Sequence, residues 1–278
     1  MPVDIRSLSR AESQVILAIE ERGQERVSVH EIARLLGRGG PSYARKMAHT
    51  LSRKGWLQRV GKGEYLLNPA RQGPEAIPEM NPYRVGSHLA SPGYFGYATA
   101  ANLHGLLTQV FRTCFVVTPL KKTVSISEPT DFRLVHVSAR KFFGTTRIEK
   151  YGSWIQVSDL EKTVLDCVDR PELAGGIPGV VQIVHAAKPR LDFQRLRDYA
   201  KRLGNRSLAQ RLGFILNLVR RDTAIPPNFE AFLRRLRGDS YVELGSPKRY
   251  GRTGRFDGDW RVIVNLSDHA LLGEVQVG

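Results

Sequence analysis

Residues 28–54 set two short amphipathic segments on either side of a glycine run, and few folds accommodate that order. Ser28-Val29-His30-Glu31 reads as a capping box, in which the serine hydroxyl takes an orphan amide and Glu31 reaches back to the cap. It opens a helix with Ile32, Leu35 and Leu36 inward. Gly37-Arg38-Gly39-Gly40 ends that helix, and Pro41 stands in the first turn of the next, where its missing amide is not needed. Ala44, Met47, Ala48 and Leu51 then recur at i, i+3, i+4 and i+7, so one face of a helix from about Pro41 to Lys54 meets a core. The opposite face shows Ser42, Arg45, Lys46, His49 and Arg53, flanked by Tyr43 and Thr50. Upstream, Val15, Ala18 and Ile19 predict an amphipathic helix over residues 9–22, stopped by Gly23.

Two short alternating segments follow, at residues 57–60 and 64–67. Gly61-Lys62-Gly63 between them predicts a tight hairpin with a cationic tip. Helix, glycine turn, helix and hairpin together predict a winged helix-turn-helix, the plan that lays its last helix in a major groove. Charge agrees with that use. Between Glu31 and Glu64 stand eight basic side chains (Arg34, Arg38, Arg45, Lys46, Arg53, Lys54, Arg59, Lys62) and no acidic one. Phosphates need such a field for affinity, while sequence is read by hydrogen-bonding side chains at base edges. Double-stranded DNA is the expected partner. Arg45, Lys46 and Arg53 are expected to carry DNA affinity, with Ser42 and His49 nearest the bases and Lys62 on the minor groove; Tyr43, Thr50 and Arg59 complete the DNA-binding candidates. A winged helix serving protein contacts is the bland alternative.

The whole chain of 278 residues is basic, at +15. With 41% hydrophobic and 25% charged residues it has the balance of a folded chain. Cys114 and Cys167 stand too far apart for a zinc spacing or a disulfide framework, and both read as buried hydrophobes in a reducing compartment. The N-terminus lacks the apolar core of a signal peptide, and no apolar run approaches a membrane span. A cytoplasmic protein without membrane contact is expected. Pro69, Pro74, Pro78, Pro82 and Pro92 punctuate residues 68–93, read as a surface connector. The expected organisation is therefore a DNA-binding domain at 1–70, a proline-rich linker at 71–93 and a larger domain at 94–278.

In that larger domain a helix is expected over 94–107 and strands at 113–118, 132–138, 146–150 and 154–157. Ser158 and Glu161 form a further capping box, before an apolar stripe of Leu160, Val164, Cys167 and Val168. Helices follow at 178–187, 193–203, 207–219 and 228–236. Strands at 241–244 and 260–264 close the chain around a glycine- and arginine-rich hairpin. Strands mostly precede helices, so the class is α+β.

The run from Ser158 to Asp166 (SDLEKTVLD), continued by Arg170-Pro171-Glu172-Leu173-Ala174-Gly175-Gly176, resembles the central signature of the AbiEi antitoxin family of type IV toxin–antitoxin and abortive-infection systems. The order of parts is also similar: an N-terminal winged helix, the segment Ala98–Leu106 (ATAANLHGL), Arg211-Leu212-Gly213, and Trp260 to Asn265 (WRVIVN). The resemblance implies an α+β antitoxin domain behind the winged helix. It implies autorepression through inverted repeats upstream of the operon. It also implies an antitoxin that counteracts an AbiEii-type nucleotidyltransferase toxin without a stable complex. The signature residues Asp159, Glu161, Lys162, Thr163, Asp166, Arg170, Pro171, Glu172, Gly175 and Gly176 become candidates for that role. Read structurally, Leu160 and Leu165 are core, Glu161 is a cap, Arg170 pairs with Asp166 or Glu161, and Gly175-Gly176 end a segment.

The first 70 residues hold 12 basic and 7 acidic side chains, so +10 of the +15 lies beyond them. Arg195, Arg197, Lys201, Arg202, Arg206 and Arg211 crowd two successive helices, and Lys248, Arg249, Arg252 and Arg255 crowd the closing hairpin. Either group is a candidate surface for wrapping DNA or contacting RNA. An enzyme, either nucleotidyltransferase-like or modifying the toxin, is the competing class. Gly245-Ser246 precedes Asp257 and Asp259 at a spacing near that of nucleotidyltransferases, whose paired carboxylates hold Mg²⁺. The intervening glycines favour a turn instead. No close histidine pair, phosphate-binding glycine loop or nucleophile elbow occurs, so no catalytic residue, metal or cofactor is expected. A ligand-responsive winged-helix regulator is the third possibility.

Overall fold

In a computed structural model of the chain, the described residues are 6–37, 39–73, 81–109, 111–121, 130–151, 153–219 and 225–272. Arg38, Pro74 and Pro78, singled out above, lie outside them. The class is mixed α+β. Two compact units divide the chain, the first running to Ser91 and the second holding Pro92–Lys122 and Asp131–Gly278.

The first unit begins with α1 (Arg10–Glu21), β1 (Arg26–Ser28), α2 (Val29–Leu36) and α3 (Gly40–Arg53). β2 (Leu57–Gly61), β3 (Glu64–Leu67) and α4 (Pro82–Leu89) complete it. Its strands form one antiparallel sheet in the order β1-β3-β2. Both α1 and α2 open on full capping boxes, Ser9 with Glu12 and Ser28 with Glu31. Val15, Ile16 and Ile19 of α1, Ile32 of α2, and Ala44, Met47, Ala48 and Leu51 of α3 meet in one core with Trp56, Leu57 and Tyr65. Strand β1 was not legible in the sequence because its three residues carry no alternation of their own; it exists because Val27 pairs with Tyr65 on β3. The stretch expected as a proline-rich connector contains α4. Asn81 caps α4, and Val85, Gly86 and Leu89 bury one side of it.

The second unit opens with β4 (Tyr94–Phe95), α5 (Tyr97–Leu103), β5 (Thr113–Thr118), β6 (Asp131–His136), β7 (Thr145–Lys150) and β8 (Ser153–Ser158). The five strands make one mixed sheet in the order β6-β5-β4-β8-β7. Residues 94–107, expected as one helix, therefore split. Tyr94 and Phe95 pair with β5 and β8, and Gly96 breaks the extended segment before α5 begins. β5, flanked by β6 and β4, is buried along nearly its whole length, as its run Cys-Phe-Val-Val requires.

Helices then dominate: α6 (Leu160–Asp169), α7 (Gly176–Ala187), α8 (Phe193–Leu203), α9 (Arg206–Leu218) and α10 (Pro227–Leu236). The chain continues through β9 (Val242–Glu243), α11 (Pro247–Tyr250), β10 (Arg255–Asp257), β11 (Val262–Val264) and α12 (Asp268–Leu272). α6 is central, with Val164, Leu165, Cys167 and Val168 wholly buried among the apolar faces of its neighbours. Strands β9 and β11 fall within the two segments expected as closing strands. β9 runs parallel to β11, and β10 is the antiparallel partner on the other side. Among the described residues no helix is long and apolar enough to cross a membrane.

Candidate nucleic-acid interface

α3 is presented by its ends as much as by its faces. Gly37 closes α2 in the left-handed conformation, and Gly39 and Gly40 are left-handed too, at φ 88° and 62°. A side chain at Gly39 would also collide with the Tyr43 ring, which folds back over the turn. The N-terminus of α3 has no side-chain cap and no acidic residue in its first turn, so its free amides and positive dipole end remain open to an anion. Along the helix Ser42, Tyr43, Arg45, Lys46, His49 and Arg53 are exposed and Thr50 is half-buried. Arg59 and Lys62, on the β2–β3 hairpin, are exposed as well.

Arg45, Lys46, Arg53 and Lys62 have no carboxylate partner among the described residues. Among the described residues Arg59 donates to the Gly61 carbonyl, at 3.2 Å, and meets no carboxylate. Their neighbour Lys54, counted in the same basic field by sequence, is different. Its Nζ lies 2.8 Å from Glu12, whose side chain is 7% exposed, and it ties α3 to α1. Burial pushes the Glu12 carboxyl up, but Lys54 and the Ser9 capping contacts outweigh it and hold the group below its ordinary value. Lys54 is therefore an internal ion-pair partner rather than part of the open cationic face.

The signature of the second unit is occupied by internal contacts. Asp159, not Ser158, is the N-cap of α6; it accepts from the Lys162 amide at 2.8 Å and from the Tyr199 hydroxyl at 2.8 Å. Burial and Asp159 together push the Tyr199 hydroxyl up to about 12. Glu161 does not turn back to cap the helix. It reaches α8, accepting from the Asp192 amide at 2.9 Å, with Arg195 at 3.5 Å. The Thr163 hydroxyl donates to the Asp159 carbonyl at 2.7 Å and lies 2.7 Å from Ser158 Oγ. Lys162 grips Asp166 from one turn away and lies 5.0 Å from the Phe143 ring centroid. Burial pushes the Asp166 carboxyl up, against the pull of Lys162.

Arg170 pairs with neither Asp166 nor Glu161. It holds Glu172 at 3.0 Å and stacks 5.9 Å over the Tyr97 ring. Pro171 and Glu172 sit in a short 3₁₀ turn. Gly175 and Gly176 start α7 rather than end a segment, both left-handed at φ near 79° and 78°. A network this complete gives the signature a role in fixing α6 against α8 and the strands, and it leaves Glu172 and Gly175 as its exposed members.

No protein-family model and no curated protein matches the sequence. A solved structure does. The crystal structure of RV2827C protein from Mycobacterium tuberculosis is similar over 99% of this chain and 98% of its own, at a TM-score of 0.69 and 18% sequence identity. At that identity the likeness carries the fold alone.

Asp257 caps a turn by accepting from the Trp260 amide at 2.8 Å, and Asp259 lies 3.9 Å from Arg234. Among the described residues no group of three His, Cys, Asp or Glu side chains is arranged to hold a metal. Tyr94, Phe143, Tyr199 and Lys141, which surround the signature, were missed by sequence reasoning. Their contacts with α6 span long stretches of chain and leave no local pattern.

Proposed function

We propose that the chain is a repressor that binds double-stranded DNA through a winged helix-turn-helix formed by its first unit. In this reading α3 enters the major groove and the β2–β3 hairpin is the wing. The observation that carries it is the separation of charges on α3. Arg45, Lys46 and Arg53 stand exposed and, among the described residues, without carboxylate partners, while the adjacent cation Lys54 pairs internally with Glu12. The uncapped N-terminus of α3 adds a phosphate seat. Ser42 and His49 lie on the same exposed side and are the base-reading candidates.

The resemblance of residues 158–176 to the AbiEi signature supports the second half of the reading. The repressed operon is then the protein's own, with inverted repeats as operator, and the second unit acts as antitoxin against an AbiEii-type nucleotidyltransferase without a stable complex. Cytoplasmic residence follows from that role.

The test is a gel-shift titration on the protein's own upstream DNA at two salt concentrations, beside the Arg45→Ala/Arg53→Ala variant. Salt-sensitive binding of a repeat-containing fragment over random duplex, lost in the variant, is the expected result. Equal binding of both duplexes at every salt concentration would make the first unit a protein-contact module. Rescue of cells from the toxin by the full chain tests the antitoxin half separately.

A further inference from the structure

The closing sheet of the second unit carries a surface that neither DNA readout by α3 nor the signature uses. Residues 244–256 hold Lys248, Arg249, Arg252 and Arg255 with three glycines and no carboxylate. All four cations are exposed, as is every residue from Gly251 to Phe256. Arg249 stacks on Tyr250. Lys248 and Arg252 meet no carboxylate among the described residues, and Arg255 meets only exposed Asp268, at 3.8 Å.

Beside these cations lie two aromatic rings in solvent. Tyr241 and Phe256 are 43% and 63% exposed and meet edge to face, with centroids 5.1 Å apart. Phe256 is level with Ile263 and, across β11, with Glu243, so Tyr241, two residues before Glu243, falls on the same face of the sheet. Of the nearby acids, Asp239 pairs with Arg261 at 2.6 Å, Asp259 lies 3.9 Å from Arg234 and Asp257 accepts from the Trp260 amide, while half-buried Glu243, level with Phe256, has no ion pair among the described residues.

The glycine–arginine loop is held in place. Buried Asn265 donates to the carbonyls of Gly245 and Gly251, at 3.2 and 2.8 Å, and accepts from the Gly245 amide at 2.8 Å. Gly254 lies so close to the Val264 carbonyl that no side chain fits. Such fixing lowers the ordering entropy that a cationic loop loses on binding.

We infer that the Tyr241–Phe256 pair and the Pro247–Phe256 segment form a binding site for an unpaired polynucleotide strand, RNA or DNA. Cations alone suit any phosphate backbone. The exposed rings decide for a single strand, because a duplex keeps its base faces stacked inside, whereas unpaired bases stack on aromatic side chains. Lys248, Arg249, Arg252 and Arg255 would follow the phosphates while the two rings take bases.

The experiment is a fluorescence-anisotropy titration of the full chain with end-labelled oligouridylate and oligothymidylate of about 12 nucleotides, and with a duplex of the same length. Three variants accompany it: Tyr241→Ala/Phe256→Ala, Arg252→Ala/Arg255→Ala and Arg45→Ala/Arg53→Ala. Single-strand affinity should fall at least about tenfold in the aromatic variant. The salt slope should drop by about 0.7 per cation removed in the Arg252/Arg255 variant. Both should be unchanged in the Arg45/Arg53 variant, which separates this site from the duplex reading of α3. A preference for oligouridylate would assign the site to RNA, and equal affinity to either strand. Absence of single-strand binding, binding indifferent to Tyr241 and Phe256, or binding lost with Arg45 and Arg53 would each overturn the inference.

Discussion

Lys162 Nζ lies 2.5 Å from both carboxylate oxygens of Asp166, one helical turn further along α6, and the two side chains are only 1% and 9% exposed. The Tyr94 hydroxyl at 3.4 Å closes the group. A charge pair this deep is a matter of mutual dependence more than of net stability, because each ion compensates the desolvation of the other. Removing one partner leaves an uncompensated buried charge, so Lys162→Met should destabilise the chain by about 3–5 kcal/mol. The double variant Lys162→Met/Asp166→Leu should recover most of that loss. Denaturant unfolding of the three proteins measures both numbers. If Lys162→Met leaves the midpoint in place while the proposed antitoxin activity is lost, the pair is a functional site and not a structural one.

Gly213 and Trp260, both within segments that carry the AbiEi resemblance, are explained by each other. A Cβ on Gly213 would stand 2.2 Å from the Trp260 ring, which is buried at 1% exposure and covered by Arg234 with its guanidinium 4.7 Å from the ring centroid. Alanine in a helix interior ordinarily gains about 1 kcal/mol over glycine. Here the overlap should reverse the sign, with a net loss of about 1–3 kcal/mol. In a Trp260→Leu background the same Gly213→Ala change should become neutral or stabilising. Thermal melting of the four proteins completes the cycle, and a loss that persists without the tryptophan would refute the packing account.

The two capping boxes of the first unit make a prediction about acid. Glu31 is held below its ordinary value first by the Ser28 amide and then by the Ser28 hydroxyl, against a burial effect, and Glu12 is held down as well. Both carboxyls are thus more readily ionised folded than unfolded. Their contribution is fully present above the ordinary value of 4.5 and is lost as pH falls through the lower folded values. Glu12→Gln and Glu31→Gln should each lower the melting temperature at neutral pH and lose less on acidification than the parent protein. Parallel pH curves for parent and variants would count against the caps as the titrating groups.

Local signals explain which of these features could be read in advance. The capping box at Ser28, the glycine run and the apolar spacing on α3 are all encoded within a few residues, so the helices of the first unit and their faces were legible. β1 and β4 were not, because strands of two or three residues exist only through partners such as Tyr65 and Val117. Ser158 and Glu161 carried the spacing of a capping box, but Asp159 is closer to the helix start, and Glu161 is better satisfied by the Asp192 amide on a distant helix. Tertiary competition, invisible to spacing, decided that case. The charge field at residues 32–63 was legible as a sum. That Lys54 leaves it required knowing that Glu12 lies across the core.

Arg53 and Lys54 therefore separate binding from folding at adjacent positions. Arg53 is exposed at the end of α3, while Lys54 spans to a carboxylate that is itself fixed by Ser9. If α3 reads DNA, Arg53→Ala should weaken specific and random duplexes alike and reduce the salt slope by about 0.9, with no change in melting temperature. Lys54→Ala should do the converse. It strands the Glu12 charge at the α1–α3 contact, lowers the melting temperature and leaves the salt slope of the folded fraction unchanged. Salt-dependent binding isotherms and melting curves on the same two proteins read both effects. An equal fall in salt slope for the two variants would place Lys54 on the phosphate backbone and remove the charge separation on which the orientation of α3 rests.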